Sequence, residues 1–208
     1  MKLVQSYFPE INQASIKKLV EFQELLLDWN QKVNVISRKD EENFEERHVL
    51  HSLAIQQIVN FRKNSSVVDI GTGGGFPGLP LAIVNPTVNF TLVDSIGKKI
   101  ALVKDIAHEL GLKNVTAVNA RAEDLVDTFD YAVSRAVAPA KKLLSWIDGL
   151  MLTDKEGLVS GGIYFLKGGD LDDELREARL PVRVYDIADF YDDPFFETKQ
   201  IVHYRRTR

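Results

Sequence analysis

Apolar residues recur at helical spacing through the first sixty positions, then change after Asn64 to short runs bounded by turn residues. Between Ser15 and Asn30 the side chains Ile16, Leu19, Val20, Leu26, Leu27 and Trp29 fall near a 3.6-residue period. That spacing predicts an amphipathic helix, with Ser15 as its N-cap. Gln31 to Asp40 is polar and irregular. Helical spacing returns over Glu41 to Phe61, most clearly from His48 onward, with Leu50, Leu53, Ala54, Ile58 and Phe61 on one side. From Asn64 the pattern alternates. Strands are predicted at Ser66–Ile70, Val88–Val93, Val115–Val118, Phe129–Ser134, Gly162–Leu166, Val182–Ile187 and Gln200–Arg205. Helices fall between them at Leu79–Val84, Ile96–Leu110, Lys141–Leu150 and Leu171–Ala178. Alternation of this kind predicts an α/β fold with a mostly parallel sheet covered on both faces. Only the Asp189–Lys199 connection separates the last two strands, which predicts an antiparallel pair at one edge. The chain therefore divides into a helical extension, 1–63, and an α/β domain, 64–208.

The 208 residues are enough for one α/β domain with a small extension. Hydrophobic residues at 45% and charged residues at 27% are ordinary for a globular protein and exclude a disordered or fibrous chain. No cysteine is present, which removes disulfides, cysteine-ligated metals and a thiol nucleophile. No apolar run reaches the roughly 20 residues of a membrane span, and Met1–Glu10 lacks a signal-peptide core. The expectation is a cytoplasmic protein with no membrane partner. The net charge of −4 does not announce a nucleic-acid binder, but 26 Lys and Arg leave room for a local basic face.

The densest chemical signal is the run Val67-Val68-Asp69-Ile70-Gly71-Thr72-Gly73-Gly74-Gly75-Phe76-Pro77-Gly78. A strand enters glycines and leaves into a helix. Missing side chains let a ligand approach the backbone and allow positive φ. In an open α/β sheet this turn lies at the carboxyl ends of the strands, where ligands bind. The next strand ends at Asp94, 23 residues after Gly71. A carboxylate there suits both hydroxyls of a ribose, so the pair of signals points to a nucleoside-containing ligand. Two cofactors compete. Gly73, Gly75 and Gly78 satisfy a dinucleotide fingerprint, which keeps an NAD(P)-dependent oxidoreductase open. Asp69 favours S-adenosylmethionine instead, because a negative charge there repels a pyrophosphate and attracts the ammonium of the amino-acid moiety.

Asp69 to Pro80, with Asp94, Arg121-Ala122-Glu123-Asp124 and Ser134-Arg135-Ala136-Val137-Ala138-Pro139, resembles the bacterial 16S ribosomal RNA guanine-N7 methyltransferases, the glucose-inhibited division B family. Trp29-Asn30-Gln31-Lys32-Val33-Asn34 and Arg47-His48-Val49-Leu50-His51-Ser52-Leu53 match that family's N-terminal extension, so the resemblance covers nearly the whole chain. It implies a Rossmann-like class I methyltransferase sheet behind a small helical extension, and S-adenosyl-L-methionine as donor. The implied target is a guanine in the 530 loop of 16S ribosomal RNA, presented as RNA or as a small-subunit particle. Carried over by position, Gly71 and Phe76 line the cofactor pocket, Ala122 and Glu123 meet the adenine, and Arg135 closes the site. Two departures stand out: Gly73-Gly74-Gly75 where relatives often have alanine or proline, and His51 where the family commonly has aspartate.

Guanine N7 carries no proton, so methyl transfer to it needs no general base, and catalysis rests on alignment. An absent triad therefore does not count against the reading. Cytosine-C5 chemistry is excluded by the lack of cysteine, and the Asp-Pro-Pro-aromatic turn of amino-methylating enzymes is missing after the fourth strand. Lys167 keeps a ribose 2′-O reaction open, since that chemistry uses a lysine. Arg121 and Arg135 follow strand ends and suit phosphate binding or pocket closure. His48 and His51 are three apart with no third metal-ligand pattern, so no metal is expected. Lys17-Lys18, Lys32, Arg38-Lys39, Lys98-Lys99, Lys104, Lys141-Lys142 and the tail His203–Arg208 are candidates for a discontinuous phosphate-binding surface. A non-catalytic RNA-associated protein that keeps the cofactor fold is the remaining alternative.

Overall fold

The computed structural model describes residues 1–135, 137–153, 161–178 and 181–204. Seven strands, β1 (Ser66–Ile70), β2 (Asn89–Asp94), β3 (Val115–Asn119), β4 (Tyr131–Arg135), β5 (Gly162–Gly168), β6 (Val182–Asp186) and β7 (Lys199–Tyr204), form one sheet in the order β3-β2-β1-β4-β5-β7-β6. The first five are parallel, and β7 runs antiparallel to both neighbours. The expected antiparallel pair thus exists at the edge, but β7 slots between β5 and β6, leaving β6 outermost. The final position of the predicted last strand, Arg205, lies outside the described residues, as do the rest of the basic tail and Ala136 of the Ser134–Pro139 run.

Helices α1 (Lys2–Tyr7), α2 (Gln13–Asn30), α3 (Arg38–Glu41) and α4 (His51–Leu53) come from the extension, and α5 (Gly78–Val84), α6 (Gly97–Glu109), α7 (Ala140–Ile147) and α8 (Asp172–Ala178) from the sheet domain. The pleat sorts alternate strand residues to opposite faces. Val67, Phe90, Leu92, Val133 and Leu166 join one buried cluster with α5, α6 and the extension. Val68, Ile70, Val93, Ala132 and Phe165 join a second with α7. The first cluster contains Val4, Leu19, Phe22, Leu26, Phe44 and Leu53 together with Leu79, Leu81 and Leu102, so residues of the extension bury their apolar faces against the sheet's own layer.

The extension departs from the sequence expectations in two places. The N-cap of α2 is Asn12, whose side chain accepts from Ser15 N, while the Ser15 hydroxyl donates to the Ile83 carbonyl on α5. Both residues are good caps; the tertiary partner drew Ser15 inward. The helix expected over Glu41–Phe61 stops at Gln57 and changes winding, from a π turn (Glu45–Leu50) through α4 to a 3-10 turn (Ala54–Gln57). Phe61 lies beyond it, edge-on to Phe90 and Tyr131. Gly111 ends α6 at positive φ, as its position after the periodic run suggests.

Candidate active site

The chain runs outward from β1 through β2 to β3 and returns to place β4 on the other side of β1. The carboxyl ends of β1 and β4 therefore diverge into a crevice, the position where open α/β sheets bind ligands. Ser134 Oγ donates to the Ile70 carbonyl at 2.8 Å and ties the two strand ends together. Above them lies a cavity of about 640 Å3.

The glycine turn forms its floor. Gly71 N and Thr72 N both donate to the Val93 carbonyl on β2, and Phe76 N donates to Thr72 O, which folds the turn back on itself. Gly73 has φ +57, and a Cβ there would meet nothing nearer than 3.9 Å, so its missing side chain leaves open space. Gly71, at φ +71, has no such room, because a Cβ would overlap Val137. Asp94 accepts from Gly73 N through Oδ2 (3.0 Å) and from Ile96 N through Oδ1 (2.9 Å), and Asn119 donates to its carbonyl. The carboxylate that faces the cavity is also the staple of the turn.

Gly71, Gly73, Phe76, Asp94, Ala122, Glu123 and Arg135 all line this cavity. Asp69 and Gly75 do not, and Asp69 is placed behind the turn rather than in the cavity wall. Asp69 is fully buried, and its Oδ2 accepts from Gly78 N at 2.9 Å, at the start of α5. Burial pushes its pKa up to about 7, against the opposing pull of the Thr72 hydroxyl, the Gly78 N–H and the Arg135 guanidinium. Gly75, at φ +95, packs where a Cβ would overlap Leu79. Both residues build the turn from behind. Ile96, Val35 and Trp146 also line the cavity. The sequence signal for Ile96 is an apolar residue directly after an acidic strand end; it is half-exposed. Nothing local to Val35 or Trp146 marks them.

The extension reaches the cavity through Phe76. His48 stacks on the Phe76 ring at 4.8 Å, and the Arg135 guanidinium lies 4.5 Å from the same ring. Arg135 Nη1 donates to the Arg47 carbonyl and Nη2 lies 3.1 Å from His48 Nδ1. The π turn is what presents this backbone: His51 N–H reaches back to Glu46 O, five residues earlier. Burial lowers the Arg135 pKa to about 10, opposed by Asp69 and Asp40, so it is a cation at neutral pH. Asn30 organises the loop behind Val35, accepting from Val35 N and Ile36 N and donating to Ile36 O and Glu41. Val35 in turn sits where a Cβ on Gly74 would crowd it.

These features fit a nucleoside cofactor: a carboxylate at the ribose position, a glycine with open space before it, and apolar Ile96 and Ala122 beside an exposed Glu123. Comparison with known proteins decides the family. The family described as rRNA small subunit methyltransferase G matches over residues 15–189. The chain belongs to that family. A protein of Bacteroides fragilis named ribosomal RNA small subunit methyltransferase G is 46% identical over 203 residues, covering 98% of each chain. One of the same name from Christiangramia forsetii is 44% identical, covering 98% of this chain and 96% of the relative. Among solved structures, an S-adenosylmethionine-dependent methyltransferase from Aquifex aeolicus superposes with a TM-score of 0.57 at 15% identity, covering 83% of this chain and all of that one, a likeness of fold. Family membership sets aside the dinucleotide oxidoreductase, and S-adenosylmethionine is the cofactor of the fold and family found here.

The other expected residues are more scattered. Arg121, Lys99 and Lys142 line the cofactor cavity. Lys17 pairs with Glu21 on α2, Lys32 just past the end of α2 pairs with Asp28, and Lys18 donates to the Leu110 carbonyl, so these three have partners within the fold. Among the described residues, no group of three His, Cys, Asp or Glu side chains comes together as a metal site, and no helix is long and apolar enough to cross a membrane.

Proposed function

We propose that this chain transfers the methyl group of S-adenosylmethionine to N7 of a guanine in the 530 loop of 16S ribosomal RNA. Family membership supports the methyltransferase and its ribosomal RNA substrate. The observation that carries the site assignment is Asp94, a nearly buried carboxylate at the β2 tip that ties the glycine turn while facing the cavity. When bound, the cofactor supplies an electrophilic methyl group on a sulfonium. Asp94 would accept from its ribose hydroxyls, Gly71 and Gly73 would let it approach the backbone, and Ala122 and Glu123 would meet its adenine. Asp69 and Gly75 support the turn, and Phe76 and Arg135 close the side that faces the extension.

The nucleophile is a lone pair, so no residue has to remove a proton. Lys167, the candidate base for a ribose reaction, donates to the Ala138 carbonyl and pairs with Glu174 at 2.8 Å. That lysine does not line the cofactor cavity. Single-turnover methylation of small-subunit RNA tests the reading. The rate is expected to stay flat from about pH 6.5 to 8.5, with Lys167→Met slowing it only severalfold. A rate that climbs steeply with pH, together with an inactive Lys167→Met enzyme, would move the target to a ribose hydroxyl. Mapping of N7-methylguanine in 16S RNA, with and without the enzyme, locates the base.

A further inference from the structure

A second cavity, of about 380 Å3, shares Arg135 with the cofactor cavity. Its walls bring together His48 and His51 from the extension, Lys167 from the end of β5, and Phe195 and Lys199 from the β6–β7 connection and the start of β7. None of the cofactor-binding features reaches it except Arg135. Cations predominate around it: Arg47 and Lys199 lie 5.4 and 5.0 Å from the centre of the half-buried Phe195 ring, alongside Arg135 and Lys167. An aromatic ring flanked by cations suits a nucleotide, with a base to stack and a phosphate to neutralise.

The two histidines carry more specific information. A guanidinium can only donate, so His48 Nδ1 is the acceptor of the Arg135 contact. Burial, and then Arg135, push the His48 pKa down to about 3, so the ring is neutral and its single proton sits on Nε2. That N–H is buried and has no partner. His51 is hydrogen-bonded to the Arg47 carbonyl, which only accepts, while its Nε2 has no partner. Burial holds His51 well below its ordinary range, so Nδ1 carries the proton and Nε2 presents a bare lone pair. The two histidines that line the cavity therefore hold one unused donor and one unused acceptor, both buried and on neutral rings. Buried polar atoms without partners are uncommon and ask for an explanation.

Their order matters. His48 touches Phe76 and Arg135, both of which line the cofactor cavity. His51 lies three residues on and packs against Phe195 and Phe196. A purine whose N7 faces the methyl donor would present position 6 to His48 and position 1 to His51. Guanine offers O6, an acceptor, and then N1–H, a donor. Adenine offers an amino donor and then a bare N1, which opposes donor to donor and acceptor to acceptor. Resting on the N7 methyltransferase reading above, we infer that this second cavity holds the target guanine, with His48 Nε2–H reading O6 and His51 Nε2 reading N1–H. Both are specificity-determining residues, and neither takes part in the methyl transfer itself.

The test uses small-subunit RNA, naked and assembled, carrying guanine, inosine or 2-aminopurine at the methylated position, in single turnover with saturating S-adenosylmethionine. Inosine keeps O6 and N1–H and is expected to react within about 3-fold of guanine, whereas 2-aminopurine lacks both and should react on the order of 100-fold more slowly. In His48→Phe and in His51→Phe, which keep an aromatic ring but remove its nitrogens, guanine itself slows on the order of 10-fold or more and the 2-aminopurine penalty shrinks to about 5-fold. His51→Gln, which retains an acceptor, keeps most of the discrimination. Titration of each variant with S-adenosylmethionine reads the cofactor cavity separately and reports whether the fold survives. A wild-type enzyme that treats 2-aminopurine like guanine overturns the inference without any variant. So does a penalty left unchanged in both phenylalanine variants. If the wild type methylates none of the three, the N7 reading fails first and takes the inference with it.

Discussion

Replacing Asp94 with asparagine separates the two tasks of that carboxylate. Its Oδ1 and Oδ2 each accept one backbone N–H, from Ile96 and Gly73, at 2.9 and 3.0 Å, and the residue is only 8% exposed. Asparagine has one acceptor oxygen, so one of the two N–H groups must face an amide NH2. Losing a charge-assisted hydrogen bond at such a site costs about 1.5–3 kcal/mol. Without cofactor the expected cost to stability is a fall in melting temperature of roughly 3–10 °C, for a chain in this size range. With cofactor the loss is larger, because ribose hydroxyls need the remaining lone pairs and the displaced turn moves Gly73. Together these weaken S-adenosylmethionine by about 2–4 kcal/mol, roughly 30- to 1,000-fold in Kd. Calorimetric titration with S-adenosylmethionine and S-adenosylhomocysteine measures the second quantity, and a thermal melt without ligand measures the first. A Kd within threefold of wild type, on a folded Asp94→Asn protein, refutes the ribose assignment. An unchanged melt refutes the staple.

Glycines in the same turn should fail for different reasons. Gly73→Val projects a side chain into open space at φ +57, so it is expected to lower the melting temperature by several degrees through backbone strain while abolishing cofactor binding in the folded protein. Gly78→Ala places a Cβ against Asp69 Oδ2 and Leu92 and is expected to lower the melting temperature by several degrees. A Gly73→Val protein that binds S-adenosylmethionine normally would show that the turn does not face the ligand. Acid stability tests the neutral histidine. His48 titrates near 6.5 when unfolded and about 3 when folded, so the unfolded chain binds the extra proton and stability drains away as pH falls through that window. Asp69 runs the other way: with a folded pKa of about 7 against 3.8, it adds stability as pH falls from 7 toward 4. In His48→Phe the first effect disappears, so the melting temperature relative to wild type should rise steadily from pH 7.5 to 4.5; a constant difference would mean that His48 is not held neutral.

The alternating pattern after Asn64 was enough to read the strands and helices of the sheet domain, because strands buried on both faces look alike wherever they pair. It did not show that β7 enters between β5 and β6, since pairing order is a property of contacts distant in sequence. The glycine turn and Asp94 were legible as a candidate site because their chemistry is local: a strand end, missing side chains, and a carboxylate one strand over. Asp69 was less legible for the same reason. Its position beside the glycines suggested the ligand, but the bond that holds it, to Gly78 N, turns it into the protein. The winding change at His48 and His51 left no mark in the periodicity, and their spacing alone proposed nothing. What gives them meaning is Arg135, 87 residues from His48 in sequence.

Arg135 also explains why an enzyme of this chemistry keeps its acceptor side free of negative charge. A carboxylate next to N7 would stabilise a protonated base, and protonation at N7 removes the lone pair that must attack. Here the one acid in that wall, Asp40, is bonded to Arg47 at 2.8 Å and to Ser37. Asp69, at the end of β1, is buried behind the glycine turn and lies in the field of Arg135. Between the cavities stands a guanidinium that lies over the Phe76 ring, meets His48 Nδ1 and is fixed by a contact to the extension's own backbone. Moving the extension would move Arg135, and with it both the wall of the cofactor cavity and the neutral ring beside it. Residues 1–63 are then part of the alignment that the methyl transfer depends on, since a reaction without a general base has little besides alignment to lower its barrier.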